Sequence, residues 1–242
     1  MLAYLLWHRP REGVEREAYE RAAERFHRSL AHSPPAGFRG SALYRVAELP
    51  WLEGGGYEDW YLVEDFAALG VLNAAAVAHG HRGAHEEVAR RYGAAAGGLY
   101  GLLEGCPRLG RWSPVTESIG TADTLPGAAV SGLPALVPAT PGAEASGPLE
   151  PVPATPRAAT SLAIWISRPP GTSGPELGEL LGDGMDPACS SLWRRSLVLG
   201  PAPEYCLLAP ESPAGVAPTR LPAGWIASTV AREPVWHGGR DG

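Results

Sequence analysis

The fold turns on "VEDFAALGVLNAAAV", residues 63–77. The β-rich run "YEDWYLVED" (57–65) leads straight into it, so Asp65 stands where a helix N-cap belongs. Phe66, Leu69, Leu72 and Val77 then share one broad helical face. Upstream, "FRGSALYRVAEL" (38–49) is another β-rich run, and the turn-forming "PWLEGGG" (50–56) predicts an antiparallel pair with 57–65. Further back, Val14, Ala18, Ala22, Phe26 and Leu30 recur every four residues, with Glu17 to Arg21 and Glu24 to Arg28 as i,i+4 pairs. This predicts a helix over 14–32, stopped before Pro34-Pro35. "LAYLLWHRP" (2–10) reads as a buried strand closed by Arg9-Pro10, and downstream a helical stretch from Ala84 precedes a last strand, "GGLYGLLEG" (97–105). The order of the first half is β-α-β-β-α-β.

That order begins again about 160 residues later. Leu162-Ala163-Ile164 matches Leu2-Ala3-Tyr4, "SLWRRSLVLG" (191–200) matches "SALYRVAELP" (41–50), and "PEYCLLAP" (203–210) matches "EDWYLVED" (58–65), so Glu204-Tyr205 corresponds to Asp59-Trp60. A helix candidate spans Pro175 to Leu181, the proline-rich "PESPAGVAPTRLPAG" (210–224) replaces the second helix, and "GWIASTVAR" (224–232) is the final strand. Between the halves, 113–164 holds no aromatic residue and carries Pro-Ala-Thr repetition, the composition of an extended connector. The expected domains are a first unit at 1–105, a Pro/Ala-rich linker or insertion at 106–160, and a degenerate second unit at 161–235.

Two such units in tandem resemble the dimeric α/β-barrel superfamily, which includes the antibiotic-biosynthesis monooxygenase-like and EthD-like families. The resemblance rests on element order, with "VEDFAALGVLNAAAV" directly after the third strand. It implies an α+β fold in which two ferredoxin-like units form a pseudo-dimeric α/β barrel within one chain. It also implies small-molecule binding, but no member's catalytic signature can be carried over position by position.

Composition excludes several classes of function. The 242 residues suit one large domain or two small ones, and 31 Gly with 25 Pro is nearly twice ordinary usage. All 20 basic residues are arginine, so lysine Schiff bases, lysine-anchored pyridoxal phosphate and a Walker A loop are impossible. A net charge of −6 without arginine clusters leaves no footprint for nucleic acid. Cys106, Cys189 and Cys206 are odd in number and lack zinc spacing, which predicts a reducing, cytoplasmic setting. Leu2 to Trp7 is too short for a secretory signal, and no run is long enough for a membrane span. A monomer or homodimer is expected.

Strand parity supplies the candidate site. Tyr4 and His8 share one face of the first strand, and Asp59 and Tyr61 share one face of the third. Turned toward one barrel cavity, they would set a base, a carboxylate orienter and two phenols around an apolar pocket, the groups needed to abstract a proton from an acidic, phenolic or enolic substrate. Arg45, Arg194 and Arg195 lie inside apolar strand patterns and need an anion, with Asp59 and Glu204 as ready partners. Arg45, Arg195, Trp7 and Trp60 are the expected ligand-binding residues. His79, His81 and His85 form the densest set of possible metal ligands. The leading expectation is a small-molecule-binding protein of the dimeric α/β-barrel type; whether it also catalyses, without a cofactor and through His8, Asp59 and the tyrosines, is left open. A haem- or metal-dependent oxidoreductase using the three histidines is the alternative, and a non-catalytic structural or interaction module is the third.

Overall fold

The computed structural model describes residues 1–51, 54–107, 161–169, 171, 190–199, 203–209 and 221–239. The elements run β1 (Leu2–Pro10), α1 (Arg16–His32), β2 (Phe38–Val46), β3 (Gly56–Val63), α2 (Phe66–Ala78), α3 (Arg82–Ala89), β4 (Tyr92–Gly105), β5 (Ser161–Ser167), β6 (Ser191–Leu199), β7 (Tyr205–Ala209) and β8 (Ile226–Gly239). The strands close into one ring, β1-β3-β2-β8-β5-β7-β6-β4, in which every ladder is antiparallel.

This architecture overturns the expected pair of ferredoxin-like units forming a dimeric α/β barrel. The protein is a closed eight-stranded antiparallel β-barrel, and its three helices among the described residues all come from the first half. Two 14-residue strands erase the boundary between the halves. β4 continues past β1 to pair with β6, and β8 spans from β5 to β2. The ring order nevertheless repeats with a shift of four strands, β4-β1-β3-β2 and then β8-β5-β7-β6. The helix candidate at 175–181 and nearly all of 106–160 lie outside the described residues. Among the described residues, no helix is long and apolar enough to cross a membrane.

Alternation sorts the side chains into two layers. One cluster draws on all eight strands and on no helix, which places it in the lumen. Ala3, Leu5 and Trp7 of β1 meet Tyr44, Trp60, Tyr100, Trp165, Trp193 and Cys206 there. Tryptophan fills most of this space: Trp7 packs edge-on against Trp165 at 5.2 Å between ring centroids, and Trp60 against Trp193 at 5.7 Å. Glu58 and Arg232 are buried in the same layer. Arg232 Nη1 reaches Glu58 Oε1 at 3.2 Å, and the indoles of Trp7 and Trp60 donate to the Glu58 carboxylate at 3.1 and 2.7 Å. The Arg232 guanidinium also lies over the Tyr44 ring at 4.3 Å.

The second layer joins the outer face of β1–β4 to the helices. α1 turns Tyr19, Ala22, Ala23, Phe26, His27 and Leu30 toward the barrel, a stripe at helical spacing. α2 is capped as its sequence predicts, with Asp65 Oδ1 accepting from the Ala68 amide at 2.9 Å. Its start is also pinned by Gly37, which sits at φ +73° in the turn before β2 and accepts from the Glu64 amide at 2.9 Å. A Cβ at Gly37 would fall on Ala68 Cβ. Gly37→Ala therefore combines a left-handed backbone penalty with overpacking, and is expected to cost about 2–4 kcal/mol in urea unfolding. A loss below about 0.5 kcal/mol would show that α2 is not held at this point.

Candidate active site

The outer faces of β1 and β3 carry a buried polar cluster beneath α1. Tyr4, His8, Asp59 and Tyr61, the four residues expected to act together, converge here. They do so outside the barrel and under the helices, whereas parity had been read as aiming them into the barrel cavity. The lumen is occupied by the opposite parity set, Leu5, Trp7 and Trp60.

Asp59 is the centre of the cluster. Tyr61 Oη donates to Asp59 Oδ2 at 2.7 Å, and His27 Nε2 approaches Oδ1 at 2.9 Å along a bent direction. His8 Nε2 stands 3.6 Å from Oδ2. The distal nitrogens of both imidazoles meet hydroxyls: Tyr19 Oη lies 2.5 Å from His8 Nδ1, and Ser41 Oγ lies 2.8 Å from His27 Nδ1. Rings clamp the imidazoles. His27 stacks on Tyr61 at 5.3 Å and 9°, and His8 stacks on Tyr92 at 4.8 Å.

The cluster is buried, with His8 and His27 at 0% exposure and Asp59 at 2%. Burial alone would raise the Asp59 carboxyl, but the His27 and His8 imidazoles facing it outweigh that and hold it at about 2. Burial and the Asp59 charge together push the Tyr61 and Tyr92 hydroxyls well above their ordinary range, and raise Tyr4 as well. These phenols stay protonated.

A cavity of about 320 Å³ opens against this cluster, lined by Tyr4, Tyr61 and Tyr92, by Phe26 and Leu72, and by His85 among others. No charged Asp, Glu or Arg side chain is among its described walls. Asn73 of α2 and His85 of α3 add polar groups on the helical side. Burial lowers the His85 imidazole below its ordinary value, so it is neutral at pH 7.

Other expected site residues lie elsewhere. Trp7 and Trp60 are inside the lumen, bonded to Glu58, and neither lines the cavity. Arg45 does not pair with Asp59. It bonds Glu20 at 2.7 Å and Glu233 at 2.6 Å, and Tyr57 donates to the same Glu20 oxygen. Glu204 takes Arg168, while Arg195 of β6 stands opposite Tyr100 in the β4–β6 ladder. The three histidines of the metal reading do not converge. His79 is exposed at the end of α2, His81 is buried with Nδ1 3.1 Å from Ser29 Oγ, and His85 lines the cavity. Among the described residues, no three His, Cys, Asp or Glu side chains are grouped to hold a metal.

Sequence reasoning missed His27, Tyr19, Ser41, Phe26 and Tyr92. A signal existed for the α1 residues, because Tyr19 and His27 interrupt the same apolar stripe as Ala22, Ala23 and Phe26. A histidine eight residues from a tyrosine on a core-facing stripe needs a polar partner in the core.

No family model matches the chain, and no curated protein matches it. Among solved structures the chain is similar to an anthrone oxidase-like protein, with 12% identity over 100% of this chain and 94% of that one, and a TM-score of 0.48.

Proposed function

We propose that this protein binds a small, uncharged, planar molecule with an acidic O–H or C–H bond, and abstracts that proton without a cofactor. The observation that carries the reading is Tyr61, which lines the cavity while its hydroxyl hydrogen is committed to buried Asp59. Its oxygen lone pairs are left for a ligand hydroxyl. In this reading His85 is the catalytic base: the ligand's C–H or O–H bond breaks, the proton moves to the imidazole, and the electron pair settles on a ligand oxygen. The protonated phenols of Tyr4 and Tyr92 are placed to donate to that oxygen. Asp59 and His8 hold Tyr61 in place from behind the wall, so His8 reaches the cavity only through them. The absence of cationic walls and the carboxylate charge behind them disfavour anionic ligands.

The cavity volume suits a two-ring aromatic, so 1-naphthol and 1-naphthoate are suitable probes for isothermal titration. Naphthol is expected to bind, and naphthoate at least about tenfold more weakly. Tyr61→Phe should weaken naphthol binding by about tenfold, or about 1.4 kcal/mol. His85→Gln should leave most of the naphthol affinity, since the aromatic walls and Tyr61 still hold the probe. Equal binding of the two probes, or none of either, would overturn the reading.

A further inference from the structure

We infer that Tyr19 and Ser41 are positioning residues that fix the tautomers of His8 and His27, so that both imidazoles present Nε2–H to Asp59. This rests on the proposed role of the Asp59–Tyr61 pair and adds to it a device that sets the direction of every hydrogen bond behind the cavity wall.

A bare Nε2 on His27 would set a lone pair against the Asp59 carboxylate oxygen at 2.9 Å, so this nitrogen carries hydrogen. His8 Nε2 stands farther off, buried 3.6 Å from the other oxygen and beyond hydrogen-bond distance, where the carboxylate charge still favours an N–H over a lone pair facing it. Two imidazolium rings against one carboxylate would leave an uncompensated positive charge among fully buried groups. Each ring therefore carries one hydrogen, and each Nδ1 is an acceptor. Facing those acceptors are the Tyr19 hydroxyl at 2.5 Å and the Ser41 hydroxyl at 2.8 Å. Both hydroxyls must donate inward, because a neutral Nε2–H tautomer offers them nothing to accept.

The hydroxyls then donate one way, Tyr19 to His8 Nδ1 and Ser41 to His27 Nδ1, each Nε2–H faces the Asp59 charge at 3.6 and 2.9 Å without a formed hydrogen bond, and Tyr61 is the hydroxyl that donates to that carboxylate. Asp59 has nothing left to offer but acceptance. The Tyr61 hydrogen is locked onto it, and the Tyr61 oxygen is free for the cavity. Four elements build the arrangement: β1 gives His8, α1 gives Tyr19 and His27, β2 gives Ser41, and β3 gives Asp59 and Tyr61.

The test is a long-range proton–nitrogen correlation spectrum of the ¹⁵N-labelled, ligand-free protein at pH 8, which reads the hydrogen on each ring nitrogen. His8 and His27 are assigned by the loss of their signals in His8→Gln and His27→Gln. Both rings are expected to show a protonated Nε2 and a bare Nδ1. Tyr19→Phe should disturb this pattern at His8 alone and Ser41→Ala at His27 alone, while Ser41→Thr, which keeps a hydroxyl, should preserve it. A protonated Nδ1 on either ring of the unsubstituted protein would overturn the inference, as would an unchanged His8 pattern in Tyr19→Phe. The unsubstituted spectrum decides the direction of donation even if a variant fails to fold. Because no ligand is present, a failed naphthol titration beside the expected spectrum would sink the functional reading alone, and the reverse would sink only the tautomer assignment.

Discussion

Arg232→Met is expected to lower the unfolding free energy by about 3–5 kcal/mol, read from the urea midpoint at constant slope. The cause is what it leaves behind. Glu58 is fully buried and would keep the two indole donors of Trp7 and Trp60 but lose the guanidinium, its one cationic hydrogen-bond partner among the described residues. Loss of the guanidinium over Tyr44 adds a smaller cation–π contribution. The double variant Glu58→Gln with Arg232→Met should recover most of the loss, because the amide still accepts from the indoles and no charge remains buried. A single-variant loss below about 1 kcal/mol would mean that the pair does not hold the barrel, and no recovery in the double would mean that packing rather than charge dominates.

Acid should expose Asp59 in the same way. Its carboxyl is held at about 2 against an ordinary 3.8, so its stabilising contribution is complete above pH 3.8 and is lost as the pH falls toward 2. The difference is worth about 2 kcal/mol. Asp59→Asn is expected to cost about 2–4 kcal/mol at pH 7, and its stability curve should be flatter than the parent's between pH 4 and pH 2. Parallel curves over that interval would mean that Asp59 is not the group being titrated. Exposed carboxylates such as Glu17 and Glu86 contribute little to this difference, since solvent screens their pairs.

What the sequence made legible was local. Asp65 caps α2 through a bond spanning three residues, and the alternation in 2–8 and 57–63 correctly groups Tyr4 with His8 and Asp59 with Tyr61. Which side of the sheet that group occupies was not legible. β3 is buried at nearly every position, so its two faces carry no contrast between apolar and polar. Only the packing of Trp7, Trp60, Trp165 and Trp193 against one another decides that the other face is the lumen.

The corrected pairings were equally non-local. Arg45 finds Glu233 across 188 residues of chain, where adjacency had suggested Asp59. The last strand was expected to stop at Arg232, but β8 continues to Gly239, carrying Pro234 at a register shift opposite Tyr44. A proline at a bulge costs the ladder little, yet in sequence it reads as the end of a strand. The ferredoxin-like α/β reading failed for the same reason, since the β4–β6 and β2–β8 ladders that close the barrel leave no local trace.

The closure of the ring also orders events during synthesis. When the first 107 residues have emerged, β4-β1-β3-β2 can already assemble under the three helices, but both outer strands have unpaired backbone groups. β4 gains its neighbour with β6, after more than eighty further residues, and β2 only with β8, which comes later still. Until then, the nascent first half carries two adhesive margins. Arg45, which Glu233 of β8 engages in the finished ring, sits on one of them, and a charge on an unpaired strand is a familiar guard against joining the wrong neighbour.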